Sequence, residues 1–214
     1  MTLIGKVRGV LKRVFNPSPE AKRYRQLIDA VQETRAKNIL EIGTYFAVRS
    51  KQMINAAKKF RATHEISFYG FDLFENLTEQ QFKEEISKKS PPLSWVREEL
   101  EKTGTNIHLF PGDTRVSLSE AVPSLPEMDV VFIDGGHSIE TIESDWKNVE
   151  KVLKKGSVVI FDDYWPDRTD AGAKPIVDAI DRERYDVTIL PIVDVFDNPN
   201  HGRLTIQFAR VVKK

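Results

Sequence analysis

VVFIDGGHS, residues 130–138, and SVVIFDDYW, residues 157–165, decide the fold. Each contains a continuous run of β-branched and aromatic residues, Val130 to Ile133 and Val158 to Phe161, too short for a helix. Strands buried on both faces read this way. Between them Ile139, Ile142, Trp146, Val149 and Leu153 recur at helical spacing with charged residues in the gaps, and Lys154-Lys155-Gly156 makes a basic, glycine-terminated end. Strand, crossover helix over 139–153 and parallel strand are therefore expected. Right-handed crossovers bring such strands together with their carboxyl ends at one edge of the sheet, where open α/β sheets bind ligands. Asp134, Asp162, Asp163 and His137 are thereby expected in one cleft.

The same alternation extends towards both termini. A helix from Pro19 or Glu20 to Arg35, with Tyr24, Leu27, Ile28 and Val31 inward, precedes a strand at Asn38 to Ile42. Gly43 follows that strand, and a helix from about Arg49 to Phe60 follows the turn. ISFYGFD, residues 66–72, is a second strand ending on Asp72, and NIHLF, residues 106–110, is a third running into Pro111-Gly112-Asp113. Two late strands, Tyr185 to Val193 and Leu204 to Val211, flank a loop from Asp194 to Arg203 and are expected as antiparallel neighbours. The sum is an α/β chain: a seven-stranded mixed sheet, helices on both faces, and a terminal antiparallel hairpin.

The 214 residues suffice for one full core and contain no Ser/Gly-rich or proline-rich divider, so one domain over 20–214 is expected. Residues 2–15 form a separate feature: Leu3, Val7, Val10, Leu11 and Val14 share a helical face, Lys6, Lys12 and Arg13 lie mostly off it, and Asn16-Pro17-Ser18-Pro19 stops it. A basic amphipathic helix of this kind suits peripheral contact with an anionic membrane, or packing on its own domain or a dimer mate. Lysine plus arginine equals aspartate plus glutamate, at 32 each, which argues against a general nucleic-acid binder. Without cysteine there is no disulfide, thiolate metal site or cysteine nucleophile. No stretch is long and apolar enough to span a bilayer, and Lys6, Arg8, Lys12 and Arg13 interrupt any signal-peptide core. A cytoplasmic location is the expectation.

NILEIGTYFAVRS (38–50), GFDLFE (70–75), PGD (111–113), VVFIDGGHS and SVVIFDDYW, in this order at strand ends, resemble class I S-adenosylmethionine-dependent methyltransferases with a Rossmann-like sheet. Within that class they are similar to the small metal-assisted O-methyltransferases acting on sugars, natural products and catechol-like diols. The resemblance covers about residues 20–212. It implies that Glu41, Gly43, Thr44, Tyr45 and Ser50 surround the methionine part of the cofactor, that Asp72 with Leu73 meets the ribose, that Asp113 with Thr114 meets the adenine amino group, and that Asp134 also touches the cofactor. The residues themselves allow this chemistry: Gly43 permits close backbone approach, a helix start offers unpaired N–H groups, and a strand-end aspartate can accept two hydroxyls. They equally allow a tight turn at Gly43 and helix N-caps at Asp72 and Asp113. The chain departs from the family at Ala47, where a second small glycine is usual, and at Val48. A methyl at 47 is harmless to the loop if the backbone there does not require positive φ; if it does, cofactor affinity is expected to fall, as in a degenerate relative. A dinucleotide fingerprint is excluded, because counting G-x-G-x-x-G from Gly43 places Tyr45 and Val48 at the other glycine positions.

Asp134, Asp162 and Asp163 offer only oxygen, which suits Mg²⁺; without a cation they would repel one another. The resemblance implies that the metal holds a substrate hydroxyl and lowers its pKa for in-line attack on the sulfonium methyl. His137 is a candidate catalytic base beside Asp134; it is equally open to capping the following helix or orienting Asp134. Asp145 falls on the crossover helix, where a structural contact is expected. The insertion at 75–94 and the loop at 164–174 are expected to wall the acceptor, with Trp165 either stacking on a ring or covering its own core. The expected function is Mg²⁺-assisted O-methylation of a small-molecule hydroxyl acceptor, a saccharide or other small polyol, by a chain that could act as a homodimer. A non-catalytic cofactor-binding or scaffold protein is the alternative, and an iron hydroxylase is disfavoured by the all-carboxylate set.

Overall fold

A computed structural model describes residues 21–85, 89–198 and 202–214. The amphipathic helix expected over 2–15 and its proline stop lie outside the described residues. Strands β1 (Asn38–Ile42), β2 (Ser67–Asp72), β3 (Asn106–Pro111), β4 (Met128–Ile133) and β5 (Leu153–Tyr164) pair in parallel. After them come β6 (Tyr185–Ile189), β7 (Asp194–Asn198) and β8 (Gly202–Lys213). The order across the sheet is β3-β2-β1-β4-β5-β8-β6, with β8 antiparallel to β5, β6 and β7.

The long apolar runs are explained by the pleat, which sends neighbours to opposite faces. Val131, Ile133, Val159 and Phe161 join one core cluster, while Val130, Phe132, Val158 and Ile160 join the other. Helices α1 (Tyr24–Thr34), α2 (Val48–Ala57) and α4 (Leu93–Glu101) cover the second face through Leu27, Val31, Met53, Ile54, Val96 and Leu100. A short α3 (Glu79–Glu84) lies in the insertion after β2. On the opposite face α5 (Thr114–Ala121), α6 (Ile139–Val149) and α7 (Lys174–Ala179) bury Leu118, Ile142, Trp146, Val149, Ile176 and Val177.

Several boundaries differ from the sequence expectation: α1 begins at Tyr24 rather than Pro19 or Glu20, and α2 ends at Ala57 rather than Phe60. The crossover helix stops at Val149, a 3₁₀ turn covers Glu150–Val152, and Lys154-Lys155-Gly156 lies inside β5, with Gly156 at φ +84. β6 ends at Ile189 rather than Val193; Pro191 has no N–H with which to continue a ladder. Part of the expected 194–203 loop is the strand β7, which pairs antiparallel with β8, and β8 pairs with β6 as well.

Register places the site. Phe110, Phe71, Ile42, Ile133 and Phe161 form one row across five parallel strands. The next residues along the chain, Pro111, Asp72, Gly43, Asp134 and Asp162, therefore emerge side by side at the carboxyl edge. The strand order reverses between β1 and β4, the switch point at which open α/β sheets take ligands.

Candidate active site

At that edge lies a cleft of about 710 Å³. It is lined by Glu41, Gly43, Thr44, Tyr45, Asp72, Leu73, Asp113 and Thr114, together with Asp134, His137, Asp162 and Asp163. Ser50 is the one expected site residue that does not line it; its hydroxyl is fully buried and donates to Glu41. Burial pushes the Glu41 carboxyl up to about 8, although the Ser50 hydrogen bond opposes the shift.

The switch point demands glycine. Gly43 stands at φ +92, and a Cβ there would lie 1.9 Å from the main-chain oxygen of Asp134. Beyond it Tyr45 and Ala47 also adopt positive φ, +46 and +56, so the loop has left-handed geometry without further glycines. Ala47 is fully buried, belongs to the core cluster behind the loop, and does not line the cleft. Asp72 braces the loop: Oδ2 accepts from Tyr45 N at 2.8 Å, and Oδ1 accepts from Phe74 N at 2.8 Å and Ser90 Oγ at 2.9 Å. Asp113 caps α5 by accepting from Arg115 N at 3.0 Å, and the Arg115 guanidinium donates to the same carboxylate at 2.6 Å. That pairing holds Asp113 below the usual carboxylate range.

The acidic cluster is present, with one oxygen from each of Asp134, Asp162 and Asp163 mutually within 4.8 Å. Its charge is partly balanced by residues that the sequence did not single out. Arg23, 5 % exposed, grips Asp162 with Nε and Nη2 at 2.9 Å each and reaches Asp194 at 3.2 Å. Tyr24 Oη adds a hydrogen bond to Asp162 at 3.1 Å. Nothing in the local sequence marks Arg23 among the basic residues beside it, because its partner lies 139 positions away. Asp163 sits in a β-bulge at φ +52, where β5 slips against β8.

His137 pairs with Asp163 rather than Asp134. Its Nε2 lies 2.8 Å from Asp163 Oδ2 and its Nδ1 lies 2.5 Å from the main-chain oxygen of Glu85. A carbonyl only accepts, so Nδ1 carries a proton, and Nε2 is committed to the carboxylate. Burial alone would lower His137, but Asp163 overrides it and raises the imidazole to about 9. With both nitrogens engaged, the ring offers no lone pair to an acceptor in this geometry. Asp134 is the contrasting member: no described residue donates a hydrogen bond to its carboxylate, and burial together with Asp162 and Asp163 pushes it well above the usual range.

Trp165 covers its own core. It is 3 % exposed, packs with Leu204 and Ile206, stacks on His137 with ring centroids 5.7 Å apart, and donates to Asp163 Oδ1 at 3.2 Å. Asp145 is wholly buried with its carboxyl beside Thr114, and neither oxygen makes a hydrogen bond of ordinary geometry among the described residues.

Comparison with known proteins gives a consistent outcome. The family model described as a methyltransferase domain matches residues 40–164. Uncharacterized protein R132 of Acanthamoeba polyphaga mimivirus is 28 % identical over 119 residues, 47 % of this chain, and the match spans about half of that relative, 54 %. Among solved structures, an O-methyltransferase from Bacillus cereus in complex with SAH superposes with a TM-score of 0.62 at 18 % identity, covering 98 % of this chain and 90 % of that one. The O-methyltransferase TomG from Streptomyces achromogenes, involved in tomaymycin synthesis and in complex with SAM, gives 0.57 at 16 % identity over 92 % and 82 %. At these identities the structures speak to the fold alone.

Proposed function

The chain belongs to the methyltransferase-domain family, and on that premise we propose that it transfers the methyl group of S-adenosylmethionine to a hydroxyl oxygen of a small saccharide or other polyol, assisted by Mg²⁺. The observation that carries this reading is the row Asp72, Gly43, Asp134 and Asp162, set side by side at the switch point by the register of four parallel strands and opening into one cleft.

The residues fit both groups. The cofactor presents an ammonium, a sulfonium and a ribose diol, which want acceptors, and the cleft supplies the carboxyl oxygens of Glu41 and Asp72 beside a glycine. Asp72 already accepts three hydrogen bonds, and a carboxylate has about four acceptor positions. Asp72 would thus hold the ribose diol of the cofactor through its remaining acceptor position. For the metal, three hard oxygen donors converge within 4.8 Å, and Asp134 has no competing donor among the described residues. When bound, S-adenosylmethionine supplies the electrophilic methyl and Mg²⁺ supplies Lewis acidity that lowers the pKa of a ligated hydroxyl. Asp134 presents the available carboxylate to the acceptor side, the His137–Asp163 pair holds a proton at Nε2, and Trp165 with Leu204 and Ile206 keeps that side apolar. Arg23 favours a second reading, in which the buried guanidinium already neutralises Asp162 and the site works without metal.

Calorimetric titration with S-adenosylhomocysteine, with and without Mg²⁺, tests both. Saturable binding near micromolar, about −8 kcal/mol, is expected. A heat of Mg²⁺ binding abolished by Asp134→Asn supports the metal, and its absence favours the arginine-balanced site. No cofactor binding in either condition overturns the enzyme reading in favour of a scaffold.

A further inference from the structure

The GGHS run at 135–138 is explained only in part by the sheet. Gly135 has no room for a side chain against Ile42, since a Cβ would lie 2.8 Å from Ile42 Cγ2. Gly136 has a different reason: a Cβ there would stand 2.5 Å from Glu85 Oε2. Glu85 reaches this loop from the insertion after β2, 52 residues earlier in the chain, and is 8 % exposed. Its Oε2 accepts from His137 N and Ser138 N, each at 2.9 Å. Its Oε1 accepts from Ser138 Oγ at 2.8 Å and Thr141 Oγ1 at 2.6 Å. Those four donors fill the carboxylate. The main-chain oxygen of the same residue receives the His137 ring at Nδ1.

We propose that Glu85 is a positioning residue for the methyl-transfer site: it locks the His137 ring in the orientation that fixes Asp163, and so sets the carboxylate cluster against the cofactor wall. A helix N-cap alone would need only the N–H groups of α6, and Ser138 already caps that helix from within, accepting from Thr141 N at 3.2 Å. Glu85 goes further by holding both the backbone and the ring of one residue. The ring then has a single pose, with Nδ1 on Glu85, Nε2 on Asp163 and one face on Trp165. Both oxygens of Asp163 are thereby fixed, one by His137 and one by Trp165. The insertion that carries Glu85 also places Leu77, Gln81 and Ser90 on the cleft, so one residue ties the cofactor wall to the cluster. The inference rests on the methyltransferase reading for its purpose, but its geometry is tested independently.

The test is ¹H–¹⁵N spectroscopy of the imidazole rings in the full chain, which has four histidines, with a His137→Gln variant to assign the signal. A protected His137 Nδ1–H is expected in the native protein and in Glu85→Gln, whose amide oxygen still accepts from the two N–H groups. It is expected to be lost in Glu85→Ala. Glu85→Asp keeps the charge but shortens the reach, and should lose the signal too, which decides the matter if the alanine variant does not fold. A His137 signal unchanged in a folded alanine or aspartate variant overturns the proposal. Calorimetry of the native protein with S-adenosylhomocysteine runs alongside: failure there sinks the methyltransferase reading, whereas the imidazole signal reports on Glu85 alone.

Discussion

Ala47 holds a left-handed backbone, φ +56, at a position where the family resemblance leads one to expect glycine. A non-glycine residue in that region costs about 1–2 kcal/mol. The methyl is fully buried in the apolar cluster behind the loop, which returns about 0.8 kcal/mol, and a glycine would add chain entropy to the unfolded state. Because the loop already has the required shape and the methyl faces away from the cleft, Ala47→Gly should shift S-adenosylhomocysteine affinity by less than about threefold, or about 0.7 kcal/mol. A tenfold gain in calorimetry would instead show a degraded cofactor loop. At this scale the sequence was legible where chemistry is local: Gly43 as a glycine that its turn requires, and Asp113 as an N-cap. It was silent on Arg23 and Glu85, whose roles depend on partners distant in the chain.

Helix α6 illustrates what periodicity does and does not reveal. Ile142, Trp146 and Val149 face the core as their spacing requires, and Ser138 caps the N-terminus. Asp145, between them, looks like one of the charged gap residues, yet it is wholly buried, and Thr114 beside it opposes the cost of its charge only in part. Burial raises its carboxyl to about 7. The folded state then keeps a proton that the unfolded chain releases near pH 4, so stability falls as pH rises from about 4 to 7 and stays low above that. The full penalty is on the order of 4 kcal/mol. Asp145→Asn should therefore stabilise the protein in urea unfolding at pH 8, by up to that amount, with the gain shrinking steadily towards pH 4. Loss of stability at pH 8 would show that the carboxylate is ionised and holds a partner. The boundaries around α6 and β6 were less legible, because a lysine–glycine run can enter a strand as readily as it can end a helix.

Across the whole molecule, Arg23 joins parts far apart in sequence, gripping Asp162 of β5 and Asp194 of β7 from the residue before α1. Removing one partner of a buried ion pair leaves an uncompensated charge and costs about 3–5 kcal/mol. Arg23→Met should lose that much in urea unfolding at pH 7, and Arg23→Lys should recover only part, since an ammonium cannot reproduce the two-pronged grip. A loss below about 1 kcal/mol would mean that Asp162 carries no charge in the folded protein. The sequence by itself determined the alternation of elements, the parallel strands and the carboxyl edge at which Asp72, Asp134 and Asp162 emerge, because strand periodicity, crossover handedness and glycine at a switch point are set by neighbours a few residues apart. Only the tertiary structure decided which charges balance that cluster, how His137 is oriented, and that the Ser50 hydroxyl bonds Glu41 without lining the cleft. Those outcomes rest on contacts between residues as many as 139 positions apart, and no local pattern encodes which of many charged side chains will meet when the core closes.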